Sequence, residues 1–293
     1  MQHGLVAGQV AGHVVAGYRL LRLIGQGVNG AVYLAEDTAA GATVALKIVP
    51  LAIGDAAAAA HDAFLRSVQA ARGLVHPGIV TLYAAGVEGS RGWLAMEPVP
   101  GTDLGRYTSS SRLLPEPVVL QIGQRVALAL AHAHRQGVVH RDIKPANVLV
   151  DWAGDGIKLA DFGLARAADG VQTGTGIVLG SPAYMPPEQL AGAVPTPRSD
   201  FYALGAMLFQ LLAGRLPYEG SSMGELLRQV ADEPVPDLCL LRPGLPPAVA
   251  ALIARMLAKR PGERPGDGES LAAALGQAKA AWPESGGVGS HPA

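Results

Sequence analysis

Polar residues that could bind a cation and accept a proton occupy two short segments of the chain. In the segment 140–147, which reads HRDIKPAN, Asp142 and Asn147 stand five residues apart, and Asp161 follows Asp142 by nineteen. Carboxylate and amide oxygens are hard ligands of the kind that magnesium binds, and a carboxylate can take a proton from a hydroxyl. These residues could therefore hold a divalent cation and activate an acceptor hydroxyl.

A glycine-rich turn precedes these segments. Gly25, Gly27 and Gly30 form a GxGxxG pattern between two β-like runs. The chain continues as a strand after the third glycine, which argues against a dinucleotide-binding fold, where that glycine opens a helix. The GxxxxGK[ST] pattern of a P-loop does not occur. A glycine turn between strands can instead fold over phosphates, because its bare backbone N–H groups approach them closely.

The order of these segments resembles the eukaryotic-type (Hanks-type) serine/threonine protein kinases, in their bacterial branch. A VALK element ending in Lys47 follows the glycine turn, and the HRD segment and the DFG at 161–163 come after it. Glu188 and Arg264 resemble the structural ion pair of that family. The resemblance runs from about residue 18 to about residue 275. It implies an α+β, bilobal protein-kinase fold, with a small antiparallel β-sheet N-lobe that has one main helix, and a larger, mainly α-helical C-lobe.

The resemblance also implies a role for each polar residue of the site. Asp142, Lys144 and Lys47 would be catalytic. Asp142 would accept the proton of the attacking hydroxyl, Lys144 would contact the γ-phosphate of ATP, and Lys47 the α- and β-phosphates. Asn147 and Asp161 would hold Mg2+, with Mn2+ as an alternative. Positioning and charge neutralisation supply most of the catalysis in phosphoryl transfer.

The nucleotide would contact the glycine turn, the strand after it and the stretch 96–99. That stretch resembles a hinge strand, in which backbone groups of Glu97 and Val99 bond the adenine edge, and a plain linker is the alternative. Ala45 and Leu149 would sandwich the adenine ring, although both could equally belong to an apolar core. The implied ATP-binding residues are Ile24, Gly25, Gln26, Gly27, Val28, Asn29, Gly30, Val32, Ala45, Lys47, Glu97, Val99 and Leu149.

Two further residues indicate the acceptor. Lys144, two positions after Asp142, is the form typical of serine/threonine kinases, and Ser181 stands where these kinases keep a serine or threonine near the catalytic aspartate. The resemblance therefore implies protein substrates with serine or threonine acceptors. It also allows a self-dimer during autophosphorylation.

Hydrophobic period and turn residues divide the chain into a sheet half and a helical half. Strands are predicted at 18–24, 31–35, 43–49, 79–84 and 93–96, with one helix at 55–74. Later helices are predicted at 116–136, 200–213 and 245–259. We therefore predict an N-terminal extension at 1–17, an N-lobe at 18–97, a hinge at 98–101, a C-lobe at 102–279 and a disordered tail at 280–293.

Composition argues against some classes of partner. Of the 293 residues, 49% are hydrophobic and 16% charged, and the net charge of −1 gives no electrostatic reason to expect nucleic acid or an anionic membrane. No stretch approaches the ~20 apolar residues that cross a bilayer. The single cysteine, Cys239, cannot form an internal disulfide, which suits a reducing compartment. We therefore expect a cytoplasmic protein.

One position departs from the family pattern. The family places a glutamate in the first helix, nine residues before the histidine of a His-Pro pair, to hold the strand lysine. The count back from His76 gives Ser67, which cannot form a salt bridge with Lys47. Asp62 and Gln69 lie on other faces of the helix. Asp161 could still help to orient Lys47, and a slipped helix could bring Gln69 closer. Two functions remain open: an active serine/threonine kinase that is slowed by this change, or a pseudokinase scaffold whose output is conformational.

The glycine-rich, polar stretch between Asp161 and Glu188 predicts regulation by phosphorylation. A phosphate on Thr173 or Thr175 could pair with Arg141, which immediately precedes the catalytic aspartate, and so order the loop. We expect mass spectrometry to find phosphate on one of these threonines after incubation with Mg-ATP. An active preparation in which both stay unmodified would favour the alternative, a merely flexible polar loop.

Overall fold

The computed structural model describes residues 12–27, 30–162 and 182–282. Of the predicted site residues, Val28, Asn29, Thr173, Thr175 and Ser181 lie outside these ranges. Strands dominate the first hundred residues and helices the remainder, which confirms the α+β, bilobal kinase fold. The strands are β1 Val14–Val15, β2 Tyr18–Gly27, β3 Gly30–Asp37, β4 Thr43–Pro50, β5 Leu82–Glu88, β6 Arg91–Met96, β7 Thr102–Asp103, β8 Val148–Asp151 and β9 Gly156–Leu159. The helices are α1 Ala57–Arg72, α2 Glu116–Arg135, α3 Pro187–Leu190, α4 Pro197–Ala213, α5 Met223–Asp232, α6 Leu238–Leu241, α7 Pro247–Met256 and α8 Gly268–Ala280.

The N-lobe contains a six-stranded antiparallel sheet in the order β1-β2-β3-β4-β6-β5. Successive side chains of a strand point to opposite faces, and β4 uses both. Leu46 and Ile48 join a core cluster with Leu20 and Tyr33 on one face. Lys47, which lies between them in sequence, therefore leaves the sheet from the other face.

Helix α1 packs on that other face of the sheet. Phe64 and Val68, four residues apart on one side of the helix, pack against Leu94 of β6. Gly92 permits this contact, because a Cβ there would lie 2.7 Å from the Phe64 ring. The helix is two residues shorter at each end than predicted, and the 3-10 turn Gly54–Ala56 precedes it.

The two lobes are connected by one stretch of chain, and a second stretch of the N-lobe packs against the C-lobe. Residues 97–101 contain neither helix nor strand and lead from β6 to β7, in agreement with a hinge at 98–101, although the domain boundaries stay a prediction. Earlier in the chain, Ile79 bridges to Leu159 of β9, and Leu74 and Ile79 pack in the core of the helical half. The strand predicted at 79–84 therefore begins only at Leu82, because the residues before it already pack against the C-lobe.

Helix α4 is the buried centre of the C-lobe. Thr196 and Ser199 form a capping box at its start, so the helix begins at Pro197, earlier than the predicted Asp200. Gly214 ends it with a φ of +73°, a conformation that glycine adopts without steric cost. Helices α2 and α7 pack on α4, and α8 packs on both of them. None of the helices in the described ranges is both long and apolar enough to cross a membrane.

A buried ion pair joins α3 to the loop before α8. Arg264, only 1% exposed, donates to the two carboxylate oxygens of Glu188 at 2.7 and 2.8 Å. Its other N–H groups donate to the carbonyl oxygens of Ala258, Arg198 and Lys259, so all five donors are used. Burial by itself would raise the pKa of Glu188, but the hydrogen bonds from Arg264 lower that pKa overall. The predicted ion pair is confirmed.

Arg264→Met tests what this pair contributes to stability. Removing one member of a buried pair leaves the other charge without compensation and costs about 3–5 kcal/mol. We expect that loss in the free energy of unfolding, measured by urea denaturation at pH 7. The matched control is Arg260→Met, because the Arg260 side chain is 85% exposed in its pair with Glu263. It should change the free energy by less than ~0.5 kcal/mol.

The pH dependence of this loss has a definite sign. The pKa of Glu188 is lower in the folded chain than its ordinary value of 4.5. The contribution of the pair is therefore complete above that value and declines as the pH falls through the lowered pKa. The difference between wild type and Arg264→Met should shrink in this acid range. A loss below ~1 kcal/mol at pH 7 would contradict the argument.

Candidate active site

Strand register places the glycine turn beside Lys47. Gly25 of β2 pairs with Val32 of β3, which pairs in turn with Lys47 of β4. Paired residues of antiparallel strands point to the same face, and Ala45, two residues before Lys47, shares it. Val32, Ala45 and Lys47 thus project from one face of the sheet next to the glycines. Of the other predicted contacts, Ile24, Gln26 and Gly27 lie on β2, Gly30 opens β3, Val99 lies between β6 and β7, and Leu149 lies on β8.

Lys47 contacts Asp161 directly. Its Nζ donates to Asp161 Oδ2 at 2.6 Å, and the lysine is only 7% exposed. Asp161 has a φ of +66°, a left-handed conformation that costs a residue other than glycine some backbone strain. The ion pair offsets part of this strain and joins β4 of the N-lobe to the segment that follows β9.

Asp142, Lys144 and Asn147 form a second cluster. Lys144 Nζ donates to Asp142 Oδ2 at 2.6 Å. Asn147 Nδ2 donates to the same oxygen at 3.1 Å and to the Asp142 backbone carbonyl at 2.7 Å. The 3-10 turn Pro145–Asn147 brings the Asn147 amide back over Asp142. The two side chains can therefore hydrogen-bond although they are five residues apart. Both side-chain contacts use Oδ2, so Oδ1 of Asp142 has no partner within the described ranges and is left for another group.

Asp200 anchors the loop 140–147. Its side chain is buried, and its two oxygens accept from the backbone N–H groups of His140 and Arg141, both at 2.8 Å. His134 Nε2 lies 2.8 Å from Asp200 Oδ2. Hydrogen bonds to an ionised acceptor are about twice as strong as neutral ones. Because Arg141 has a φ of +75°, Asp200 holds a strained turn immediately before Asp142.

His140 links the two clusters. Its buried ring donates from Nε2 to the carbonyl of Ala160 at 2.8 Å, and Nδ1 accepts from the backbone N–H of Asp142 at 3.3 Å. The ring also meets the ring of Phe162 edge to face, with 4.6 Å between their centres. The loop that carries Asp142 is thereby fixed relative to the segment that carries Asp161.

Glu97 uses its side chain and its amide within the protein. Its carboxylate contacts Lys158 Nζ at 2.5 Å and accepts from the backbone N–H of Thr81 at 3.2 Å. The Glu97 N–H donates to the Thr81 carbonyl at 3.0 Å. Burial by itself would raise the pKa of Glu97, but the bonds from Lys158 and Thr81 lower it overall. Of the Glu97 backbone groups predicted to meet adenine, the carbonyl is the one left.

Ser67 lies on the buried side of α1, where the family resemblance implies a glutamate. It is 4% exposed, and its hydroxyl donates to the carbonyl of Phe64 at 2.7 Å, within its own helix. Asp62 and Gln69 are exposed, so they lie on other faces of the helix than the buried Ser67, as predicted. Helix α1 therefore directs no carboxylate toward Lys47.

The anchoring role of Asp200 and the ion pair between Glu97 and Lys158 were missed in the sequence. The signal for Asp200 is a carboxylate that opens a strongly apolar run of residues, because a buried charge needs a partner. The sequence offers no comparable signal for Lys158, which finds Glu97 only through the fold.

Comparison with known proteins agrees with this geometry. A family model described as "Protein kinase domain" matches residues 18–276. The chain belongs to the protein kinase family. The residues of this kinase domain that the motifs single out, namely Lys47, Asp142, Asn147 and Asp161, all lie inside the matched region.

Bacterial serine/threonine kinases are among the similar proteins, which confirms the predicted branch. The kinase domain is 39% identical to serine/threonine-protein kinase PrkC of Bacillus subtilis over 79% of this chain. It is 40% identical to serine/threonine-protein kinase PknJ of Mycobacterium tuberculosis over 83%, and 38% identical to the DNA damage-responsive serine/threonine-protein kinase RqkA of Deinococcus radiodurans over 82%. The matches cover 36%, 42% and 36% of these relatives, so the chain spans less than half of their length.

Asp200→Asn tests the anchoring of the loop 140–147. The variant keeps the size of the side chain but turns an amide NH2 toward one of the two backbone donors. An unsatisfied buried group costs about 1–3 kcal/mol, so amide hydrogen exchange at His140 and Arg141 should accelerate roughly tenfold or more.

The matched control is Asp267→Asn. Asp267 also accepts from a backbone N–H, that of Ser270 at 2.7 Å, but at an exposed helix start where asparagine caps equally well. Exchange in the loop 140–147 should stay unchanged in this variant. Equal exchange in Asp200→Asn and wild type would overturn the anchoring role.

Proposed function

We propose that this chain is a serine/threonine protein kinase, which transfers the γ-phosphoryl group of ATP to a serine or threonine hydroxyl of a protein. The observation that carries the proposal is the arrangement of two clusters, Asp142 with Lys144 and Asn147, and Lys47 with Asp161. Protein kinases use ATP and a divalent cation. For this chain we propose Mg2+, with Mn2+ as the alternative ion.

The donor set of the site suits a hard divalent cation. Asn147 uses its Nδ2 on Asp142, so Oδ1 is the atom of its amide left for an ion. Asp161 meets Lys47 through Oδ2, and its Oδ1 has no partner among the residues that the structure describes. Oxygen ligands from carboxylates and amides are those that Mg2+ prefers. The bound ion would neutralise charge on the phosphates.

Asp142 is the proposed acceptor of the hydroxyl proton. Its Oδ2 already accepts from Lys144 and Asn147, so Oδ1 is the oxygen that would face the substrate. Lys144 would contact the γ-phosphate. Lys47, buried on β4, would contact the α- and β-phosphates, where a charge acts more strongly than in water.

The nucleotide would lie against the face of the sheet that carries Lys47. Val32, Ala45 and Leu149 would enclose the adenine ring, and the Glu97 carbonyl and Val99 N–H would bond its edge. The glycine turn would cover the phosphates through backbone N–H groups. Its residues are Ile24, Gly25, Gln26, Gly27, Val28, Asn29 and Gly30.

A pseudokinase scaffold is the second candidate that Ser67 had left open, and the findings do not support it. Relatives at 38–40% identity are named serine/threonine-protein kinases. Lys47 also keeps an acidic partner, Asp161, in spite of Ser67. The loss of a glutamate in the first helix therefore does not leave the lysine unpaired.

We propose that phosphorylation regulates this kinase. Thr173 and Thr175 are the proposed sites of autophosphorylation, and a self-dimer is the proposed arrangement in which one copy modifies another.

The lone thiol of Cys239 supports a reducing, cytoplasmic location. The net charge of −1 gives no reason to expect nucleic acid or a membrane surface as partner.

Asp142→Asn tests the proposed activity. Radiolabelled phosphate should pass from ATP to the chain itself or to a generic basic protein, and the variant should lower that transfer by about 10²–10⁴-fold. The matched control is Asp155→Asn, in the exposed turn between β8 and β9, where asparagine tolerates the φ of +49°. It should keep full transfer.

Two other outcomes would count against the assignment. Transfer that persists in Asp142→Asn would point to a contaminating kinase. No transfer from the wild-type chain, in spite of measurable Mg-ATP binding, would favour the scaffold function.

A further inference from the structure

The charge of Lys47 is balanced from one side only. In the ranges that the structure describes, Asp161 is its one carboxylate partner, at 2.6 Å. The lysine is buried, and a buried charge needs compensation near it. Within the described part of the chain, Asp161 is therefore the one carboxylate that compensates the charge of Lys47.

Helix α1 lies over the same face of the sheet but adds no charge there. Lys47 pairs in register with Leu94 of β6, and paired residues project from the same face. Leu94 packs against Phe64 and Val68 of α1. Ser67 follows Phe64 by three residues, so it lies on the side of the helix turned toward the sheet.

The only acidic residue within α1 is Asp62, and it is exposed. The hydroxyl of Ser67 is already bonded to the Phe64 carbonyl. Neither side chain can therefore replace Asp161 as the partner of Lys47.

We propose that Asp161 is the positioning residue of Lys47 in this chain, and that Lys47 and the divalent cation therefore compete for the same carboxylate. The inference rests on the proposed function for the cation itself. The inference goes further because it assigns to Asp161 both the positioning of Lys47 and the binding of the cation. A cation that approaches Asp161 meets a carboxylate already neutralised at Oδ2, so it should bind less tightly than at a carboxylate without such a partner.

A second carboxylate at position 67 should relieve this competition. In Ser67→Glu, the new side chain lies on the face of α1 turned toward the sheet and can pair with Lys47. Asp161 should then bind the cation more tightly. The matched control is Ser67→Gln, which has the same size and no charge.

The experiment measures Mn2+ binding to the full chain without nucleotide, through the relaxation rate of water protons. Asp161→Asn defines the background from ions bound elsewhere. We expect Ser67→Glu to tighten the Asp161-dependent binding by about tenfold relative to Ser67→Gln. Circular dichroism melts of both variants show whether each is folded.

A double-mutant cycle separates competition from simple attraction of Mn2+ to an added negative charge. In the Lys47→Met background, Asp161 has already lost its partner, so Ser67→Glu should tighten binding by less than about twofold. Equal tightening in both backgrounds would overturn the proposal, and so would equal affinities of folded Ser67→Glu and Ser67→Gln in the wild-type background.

Lys47→Met alone gives an independent test if Ser67→Glu does not fold. It should tighten Mn2+ binding more than Lys144→Met, which removes the same charge from the neighbouring Asp142. Equal effects of the two lysine variants would overturn the competition. Because no step measures transfer, a chain that shows the coupling but moves no phosphate would refute the proposed function and leave this inference standing.

Discussion

The active site depends on one buried carboxylate. The loop 140–147 has a single 3-10 turn and no strand or helix of its own until β8 begins, so its backbone N–H groups need other acceptors. Asp200 supplies them from the first turn of α4, the helix at the centre of the C-lobe. The strained turn at Arg141 is therefore held by a helix that is itself mostly buried, and the packing of this helix sets the position of Asp142.

Buried polar side chains recur where irregular segments must be held in place. Arg264 uses all five donors to join Glu188 to three backbone carbonyls, and His140 joins the catalytic loop to Ala160. Such segments lack the regular hydrogen bonds of helices and strands, and hydrogen bonds from buried side chains replace them. Those from Arg264 are charge-assisted. The C-lobe thus combines an apolar core with buried polar side chains that hydrogen-bond to its irregular segments.

The N-lobe contributes to the site through a smaller number of contacts. Lys47 of β4 meets Asp161, while α1 is held on the sheet by the apolar packing of Phe64 and Val68. With Ser67 on its buried side, α1 shapes the lobe without directing a charge at the lysine. The ion pair between the lobes therefore joins Lys47 to Asp161, the residue that we propose also binds the cation.

Residue types and their spacing, such as the five residues between Asp142 and Asn147, were enough to predict the family. They also predicted the existence of the main strands and helices. These features depend on neighbours in the chain. Element ends at Leu82 and Pro197 were missed, since packing between lobes and side-chain capping set them. Only the tertiary structure decided that Lys47 pairs with Asp161, which is 114 residues away, and that Asp200 anchors the loop. Partners at such separations are chosen by how the lobes pack, and a linear pattern of residues does not contain that information.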